Sequence, residues 1–349
     1  MIAIRFFSIL FMYNSFVCSQ YTNQINSNRP GESIGAYAVG KRVVQTEMGF
    51  GYRQYSHSSY NNSSFSGEIG FLNLRWGFLS EQLELTLNSV YLNGKLNSKI
   101  TSDSKIITKR GFLNNSLGIK LLLFDPFKKE RTINFYSWKA NNGFKIRDLI
   151  PAVSLTIGGS FSQKNNPFPY NNVFGGIYRS LLFGNINAKP DEEPYFHLRG
   201  TLATQSHFLG TWVLVTNLNY DRYLSDYPEM SYFLTLTHTL SPYWSIFIEN
   251  QGIKSDLFQD TIYRFGAAYL YSNNMQLEAS LGASSKNTPS LLLANVGLSY
   301  RLDFHKDFTS SEEMEQKSLK EETRNLKKTL KKNPQIKKKR NRKAKKNIK

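Results

Sequence analysis

The sequence predicts an all-β fold, a transmembrane antiparallel β-barrel of about 12 strands, followed by a basic C-terminal tail that is disordered or partly helical. Three observations support this prediction. Apolar and polar side chains alternate with period two in segments long enough for a tilted strand to cross a bilayer. Aromatic residues make up 14% of the chain, which is usual where rings line a membrane interface. The connections between segments also alternate between short and long.

Segment 291–304 shows the alternation most clearly. Leu292, Val296 and Tyr300 fall on one face, whereas Asn295 and Arg301 fall on the other. Because an edge strand cannot be left open in lipid, this segment should pair with both its hairpin neighbour and the first strand. The other predicted strands are 42–53, 65–76, 79–91, 111–124, 149–161, 194–207, 210–221, 230–240, 242–252, 261–271 and 274–284.

The strand at 111–124 sets an apolar face, which includes Leu113 and Leu117, against a polar face with Ser116 and Lys120. The second face of the strands is polar along nearly its whole length, which favours a wet lumen over the core of a secreted β-sandwich or propeller. That soluble fold is the alternative for a chain with this pattern.

The predicted connections differ in length on the two sides of the barrel. Short ones follow Trp76, His207, Leu240 and Tyr271, and the longer polar ones are 54–64, 92–110, 162–193, 222–229, 253–260 and 285–290. Short periplasmic turns and long outer loops are typical of outer-membrane barrels, and an even strand number puts both termini in the periplasm. The segment 125–148 breaks this pattern as a long insertion on the short-turn side.

Residues 1–19 are expected to be a cleaved signal peptide, because Arg5 precedes a short apolar stretch that ends in small residues. Cys18 is the only cysteine and would leave with the signal. A lipoprotein would retain it, but Ser15, Phe16 and Val17 lack the small residues of a lipoprotein signal. The domains that follow are a periplasmic leader at 20–41, the barrel at 42–304 and a Lys/Arg-rich periplasmic tail at 305–349.

The formal charge of +18 is concentrated in the tail, because residues 309–349 hold 16 Lys+Arg and 5 Asp+Glu. A helix is expected from Glu312 until Pro334 stops it, before a basic block at 337–346. This block could attract an anionic polymer of the envelope, or it could be a disordered, self-repelling tail. No nucleic acid is expected as a partner, since no aromatic residues are interleaved for stacking.

Charged residues of both signs are predicted on the lumen side of the strands. They could form a selective passage or an internal lattice of salt bridges, and the two roles are compatible. The lumen-facing candidates are Glu47, Arg53, Glu68, Arg75, Glu84, Lys120, Arg199, Asp221, Glu249, Arg264, Glu278, Arg301 and Asp303.

The leader contains the motif Asn28, Arg29, Pro30, Gly31, Glu32 and Ser33 just before the first strand. It could plug or gate the lumen, or it could be a solvated segment.

Catalysis, cofactors and metals are not expected. No Gly-x-Ser-x-Gly, His-Glu-x-x-His or phosphate-loop motif occurs. His197 and His207 share one face but are too far apart to hold one metal, and His238 alternates with lipid-facing leucines. A barrel hydrolase acting on lipid is the enzyme alternative.

Several short motifs, taken in their order, resemble those of the bacterial outer-membrane barrels of the phenol-degradation meta-pathway (MetA-like) transporter family. The resemblance spans residues 28–304. The leader motif has Asn28 where the family has Asp, and the further motifs are Gln45-Thr46-Glu47, Leu74-Arg75-Trp76-Gly77, Glu84-Leu85, Leu117-Gly118-Ile119-Lys120, Pro151, Phe247-Ile248-Glu249, Gln276-Leu277 and Gly297-Leu298-Ser299-Tyr300-Arg301.

The resemblance implies an outer-membrane channel for small hydrophobic or aromatic compounds. The alternative function is a structural anchor with a closed lumen, whose basic tail binds anionic envelope components. Expected partners are outer-membrane lipid and the barrel assembly machinery, which would recognise a last strand ending in aromatic residues such as Tyr300 and Phe304. The sequence predicts no particular oligomeric state.

Overall fold

The structure, a computed structural model, describes residues 24–29, 31–58, 62–99, 105–126, 136, 146–161, 168, 196–223, 228–255, 259–288, 290–305 and 319. The predicted signal peptide and Pro30 of the leader motif lie outside these residues. So do most of the 125–148 insertion and nearly all of the tail. The chain divides into two units, Met1–Phe304 and His305–Lys349.

The first unit is a closed antiparallel barrel in which each strand pairs with its neighbours in chain order. The strands are β1 Val43–His57, β2 Ser63–Gly77, β3 Leu83–Ser98, β4 Lys105–Phe124, β5 Ala152–Phe161, β6 Phe196–Phe208, β7 Trp212–Tyr223, β8 Glu229–Thr239, β9 Trp244–Ser255, β10 Gln259–Ser272, β11 Met275–Ser284 and β12 Ser290–Asp303. A 3-10 turn, Ile146–Leu149, precedes β5. The predicted fold class and strand number are confirmed.

The barrel closes between β1 and β12. Their register runs from Val43 opposite Asp303 to Ser56 opposite Ser290, and β12 also pairs with β11. The closing role predicted for 291–304 is therefore confirmed. We call the end that holds Val43 and Asp303 the periplasmic end and the opposite end the outer end, following the usual orientation of such barrels.

The outer surface of the barrel is apolar and carries aromatic residues at both ends of the strands. Phe50, Ile157 and Val296 are exposed at mid-strand. At the periplasmic end, the Trp212 ring stacks on His238 with centroids 4.2 Å apart, and Trp244 packs against Tyr269. At the outer end Phe161 packs against Phe196, and Tyr91 packs against Phe112 where the apolar outward residues of β3 stop. An exposed apolar band between two aromatic girdles is the signature of a barrel that crosses the outer membrane. Among the described residues, no helix is long and apolar enough to span a membrane.

Several strands extend beyond their predicted ends. The predicted loop 92–110 is mostly strand, because β3 runs to Ser98 and β4 begins at Lys105. Loops 54–64 and 253–260 shorten for the same reason, to 58–62 and 256–258. The predicted contrast between short and long connections is therefore wrong for these loops. The outward residues of the added strand, such as Asn93 and Lys95, are polar, so the apolar alternation stops before the strand does.

The prediction of a uniformly polar lumen is wrong at the outer end. There the inward side chains form an apolar group, which we call the inner apolar cluster: Tyr55, Phe65, Ile69, Phe71, Leu92, Leu96, Leu113, Phe168, Ile253, Ile262, Leu291 and Leu293. The polar lumen occupies the rest of the barrel.

Two residues lie on the face opposite to the predicted one. Leu113 is buried in the lumen rather than facing lipid, because a register shift between Val90 and Tyr91 inverts the alternation of β4 above it. Glu68 is exposed and has the parity of Leu72 and Trp76, so it lies on the outer face.

Candidate functional site

The leader runs inside the barrel and contacts inward-facing groups on most sides of the wall. Near the periplasmic end, the N–H of Asn28 donates to Glu47 on β1 at 3.0 Å. Farther along, the N–H of Ile34 donates to Asn217 on β7 at 2.6 Å, and Asn217 donates back to the Ile34 carbonyl at 2.7 Å. The leader then turns into β1 through Gly40, whose φ of 89° favours glycine.

A buried ionic group on β1 to β4 holds the first and last parts of the leader. Arg75 and Glu84 form a two-bond ion pair, with Nε to Oε1 at 2.7 Å and Nη2 to Oε2 at 2.9 Å. Lys120 lies 3.9 Å from Glu84 and donates to the carbonyl of Tyr37 at 2.7 Å. Arg75 also donates to Tyr37, and Glu84 accepts the N–H of Val39 at 2.9 Å. Backbone groups of the leader thus form hydrogen bonds with donors and acceptors of these charged side chains that the ion pairs do not use.

A second contact point lies across the lumen at Glu249 on β9. Its carboxylate accepts the N–H of Glu32 at 3.0 Å and that of Ser33 at 3.1 Å. The same carboxylate pairs with Arg264 on β10 at 2.9 Å and accepts the hydroxyl of Thr235 at 2.8 Å. Because Glu249 is buried, these four interactions together satisfy a charge that would be costly if left unpaired.

Within the leader motif, Arg29 and Glu32 form an ion pair at 3.0 Å. The Arg29 guanidinium also lies over the Phe71 ring, 3.9 Å from its centroid, so the leader touches the inner apolar cluster by a cation–π contact. Burial alone would raise the pKa of Glu32, but Arg29 and the neighbouring wall arginines hold it below its ordinary value. The leader motif therefore stays charged while it is docked.

Further ion pairs line the wall around the leader. Arg199 pairs with Asp221 at 3.1 Å, and Arg222 pairs with Glu229 at 2.6 Å. Arg301 reaches Asp303 at 3.3 Å near the periplasmic end. Together with the groups around Glu84 and Glu249, these pairs form the lattice that was one of the two predicted roles.

The structure places these predicted residues on inward faces: Glu47, Arg53, Arg75, Glu84, Lys120, Arg199, Asp221, Glu249, Arg264, Glu278 and Arg301. It brings Glu47, Arg75, Glu84 and Lys120 together, and it joins Glu249 to Arg264. Glu278 is held by hydrogen bonds from Ser299 and Gln276 and not by a described ion pair. Their part in moving a solute stays a prediction.

Two lumen residues were missed in the sequence. Arg222 follows the inward Asp221 directly, so period two assigns it to lipid, but its φ of 58° and a register shift turn it inward. Phe233 lies on the inward face of β8 and lines the lumen beside the leader. Its parity with Thr235 places it on that face by period two, whereas no local sequence signal identifies Arg222.

Among the described residues, an outer and a middle cavity lie beside the leader. The outer cavity, of about 260 Å³, is lined by residues of the inner apolar cluster and by a set of arginines. The middle cavity, of about 210 Å³, lies between the leader and the polar walls of β2 to β7. The two share lining residues, namely Arg29, Glu32, Asn114, Arg199, Asn219 and Phe233, so they are adjacent and both lie beside the leader.

In the part of the chain that the structure describes, no three His, Cys, Asp or Glu side chains are grouped so as to hold a metal ion. His197 and His207 both face inward on β6, and His207 contacts Gln205 at 2.9 Å.

Comparisons with solved structures find other barrels. An outer-membrane channel from Pseudomonas putida F1 is 12% identical with a TM-score of 0.46, covering 80% of this chain and 100% of that one. The translocator domain of the autotransporter NalP from Neisseria meningitidis is 10% identical with a TM-score of 0.42, covering 75% and 88%. The KdgM porin is 12% identical with a TM-score of 0.38, covering 74% and 99%. At these TM-scores the similarities carry no argument about function.

A search of curated proteins finds no match. A family model described as "Putative MetA-pathway of phenol degradation" matches residues 181–302. The matched part includes β6 to β12, whereas the motifs noted at 28–151 lie outside it. The predicted resemblance is confirmed over residues 181–302, where this outer-membrane barrel carries the sequence pattern of that family.

Proposed function

We propose that the protein is an outer-membrane channel for a small solute, in which the docked leader narrows the lumen to a path along one side. The observation that carries this proposal is the pair of adjacent cavities, outer and middle, that lie beside the leader inside the barrel. A barrel with only a structural role does not require cavities lined by both ionic and apolar groups beside its leader.

The lining of the middle cavity supports this path. The leader is bonded to most of the wall strands, including β1, β3, β7 and β9 through Glu47, Glu84, Asn217 and Glu249. Facing the middle cavity, β3 to β5 present short polar side chains such as Asn88, Ser116 and Thr156. Short uncharged polar groups bind water and solutes weakly, which suits passage better than tight retention.

The middle cavity also contains groups that are ready to bind a solute. Asn73, Asn88 and Asn114 each have a buried side-chain oxygen without a hydrogen-bond partner among the described residues. Buried polar atoms are usually satisfied, so these oxygens indicate places where water or a passing solute bonds.

A second candidate is the structural anchor with a closed lumen. The observation that favours it is the inner apolar cluster, which together with the leader fills much of the barrel. The basic tail, which is predicted to bind anionic envelope components, lies almost entirely outside the described residues. The two candidates differ in one measurable property, the passage of solutes.

The test is swelling of liposomes that contain the purified protein, with a panel of small sugars, amino acids and aromatic acids. Asn88→Trp would fill the middle cavity from the inward face of β3, so we expect its swelling rates to fall at least about fivefold. Asn93→Trp, on the outward face of the same strand, is the matched control and should leave the rates unchanged. If wild-type protein that shows a heat-shifted gel mobility passes no solute in the panel, the channel proposal is wrong and the anchor stands.

A further inference from the structure

The outer cavity combines an apolar wall with a set of arginines. Its lining includes Tyr55, Ile69, Phe71, Ile262, Leu291 and Leu293 of the inner apolar cluster. It also includes Arg29, Arg53, Arg199, Arg222 and Arg264. An apolar surface next to cations is complementary to a molecule that has an apolar body and an anionic end.

Four of the five arginines have a carboxylate partner. Arg29 pairs with Glu32, Arg199 with Asp221, Arg222 with Glu229 and Arg264 with Glu249. Within the described part of the chain, Arg53 forms no such ion pair. Its bonds are to neutral acceptors, at 2.7 Å to the side chain of Asn295, 3.1 Å to the carbonyl of Tyr52 and 3.4 Å to that of Ala294.

All three of these bonds use one nitrogen, Nη1, so the Nε and Nη2 donors of Arg53 have no bond to a described residue. This is the edge of a guanidinium that binds a carboxylate with two parallel hydrogen bonds. Arg53 is only 7% exposed, and the carboxylate near it, Glu32, is already bonded to Arg29. A buried cation without a bonded counterion is costly. An anion bound at this edge would complete the charge balance of the cavity.

The surroundings of Arg53 leave room for the apolar body of such a ligand. Across the strand pairs, Arg53 lies opposite Gly67 on β2 and Leu293 on β12. Gly67 has no side chain to cover the guanidinium, and Leu293 and Leu291 provide an apolar surface beside it.

We infer that the outer cavity is a binding site for a small amphipathic carboxylate, such as an aromatic acid with one ring, whose carboxylate pairs with the Nε–Nη2 edge of Arg53 while its ring packs on the inner apolar cluster. The cavity of about 260 Å³ lies just below the usual size of pockets for drug-like ligands, which limits the body to one ring or a short chain. The inference rests on the proposed function, because it treats this cavity as a binding site along the path of the solute.

The test is equilibrium binding by calorimetry, with the full-length protein in lipid nanodiscs and with benzoate, benzyl alcohol, benzylammonium and acetate as probes. We expect benzoate to bind at least about tenfold more tightly than each of the other three, because only benzoate satisfies both the arginine and the apolar wall. Arg53→Gln should weaken benzoate binding about ten- to a hundredfold and leave benzyl alcohol unchanged. Arg110→Gln removes an exposed arginine on β4 and is the matched control, with wild-type affinity expected.

Leu293→Asn tests the apolar wall and should weaken both benzoate and benzyl alcohol. The inference is overturned if wild-type protein does not distinguish benzoate from benzyl alcohol, or if Arg53→Gln retains full benzoate affinity. The comparison of probes on wild-type protein needs no variant, so it decides the matter even where Arg53→Gln fails to fold. Binding without passage in liposomes would contradict the channel alone, whereas passage without selective binding would contradict this site alone.

Discussion

The carboxylate of Glu249 accepts the backbone N–H of Ser33 at 3.1 Å, across 216 positions of sequence. This bond joins the leader to the far wall of the barrel, and it uses a charge that is already paired with Arg264. The leader is therefore docked by the same ionic lattice that lines the lumen.

Glu249→Gln should loosen the leader without unfolding the barrel. The glutamine amide keeps one oxygen acceptor but turns an N–H₂ group toward the leader or toward Arg264. The buried arginine then has no counterion, and breaking such a pair lowers stability by about 3–5 kcal/mol. We expect faster liposome swelling than for wild type. Glu68→Gln, which changes an exposed residue on the outer face, is the control, and equal rates for both variants would contradict the docking role.

The docked leader should resist mild acid. The pKa of Glu32 is held below the ordinary glutamate value of about 4.3. The contribution of the charged Glu32 to docking is therefore fully present above that ordinary value and is lost as the pH falls through the lowered pKa. A nitroxide at Ile34→Cys should stay immobile in electron spin resonance from about pH 7 down to about pH 5, and become mobile only below about pH 4. Mobility that rises between about pH 6 and 5 would contradict this assignment.

Substitution by alanine should destabilise the protein at one glycine of β2 and have almost no effect at another. A Cβ on Gly77 would clash with the carbonyl of Gly40, where the leader turns into β1, whereas a Cβ on Gly70 meets nothing nearer than Phe50 at 4.0 Å. We expect Gly77→Ala to lower the free energy of unfolding by about 1–3 kcal/mol and Gly70→Ala to change it by less than about 0.5 kcal/mol. Urea titration of the protein in lipid vesicles measures both, and equal stabilities would show that the leader does not turn at this point.

The inverted face of β4 can be tested with lipid quenchers. A bimane fluorophore on Leu117→Cys should be quenched by brominated lipids, because Leu117 is exposed on the outer face. The same fluorophore on Leu113→Cys should not be quenched, because Leu113 is buried in the lumen. Quenching at both positions would place Leu113 back on the lipid face.

Period two in the sequence was sufficient to predict the barrel. The alternation of Leu292, Val296 and Tyr300 with Asn295 and Arg301 appears in the structure as an outer and an inner face. It fails where the backbone departs from regular strand, as at the shift between Val90 and Tyr91 that turns Leu113 inward. A bulge adds one residue, and no residue type is required there.

The predicted inward charges follow from the same alternation, but their grouping does not. The pairs Arg75–Glu84 and Arg264–Glu249 join adjacent strands, and their register depends on hydrogen bonding across the barrel. The docking of the leader depends on contacts across more than two hundred positions, such as that between Ser33 and Glu249. Local patterns contain no information about such contacts. The sequence alone therefore does not decide whether the leader plugs the lumen, gates it or is solvated.

The most direct test of the central claim, that the docked leader narrows an otherwise open lumen, is single-channel conductance in planar bilayers with and without residues 24–40. The account predicts that the leaderless barrel, once its heat-shifted mobility shows that it is folded, conducts at least about threefold more than the full chain, because a twelve-stranded barrel is wider than the filled eight-stranded kind. Equal conductance of the two proteins would contradict it.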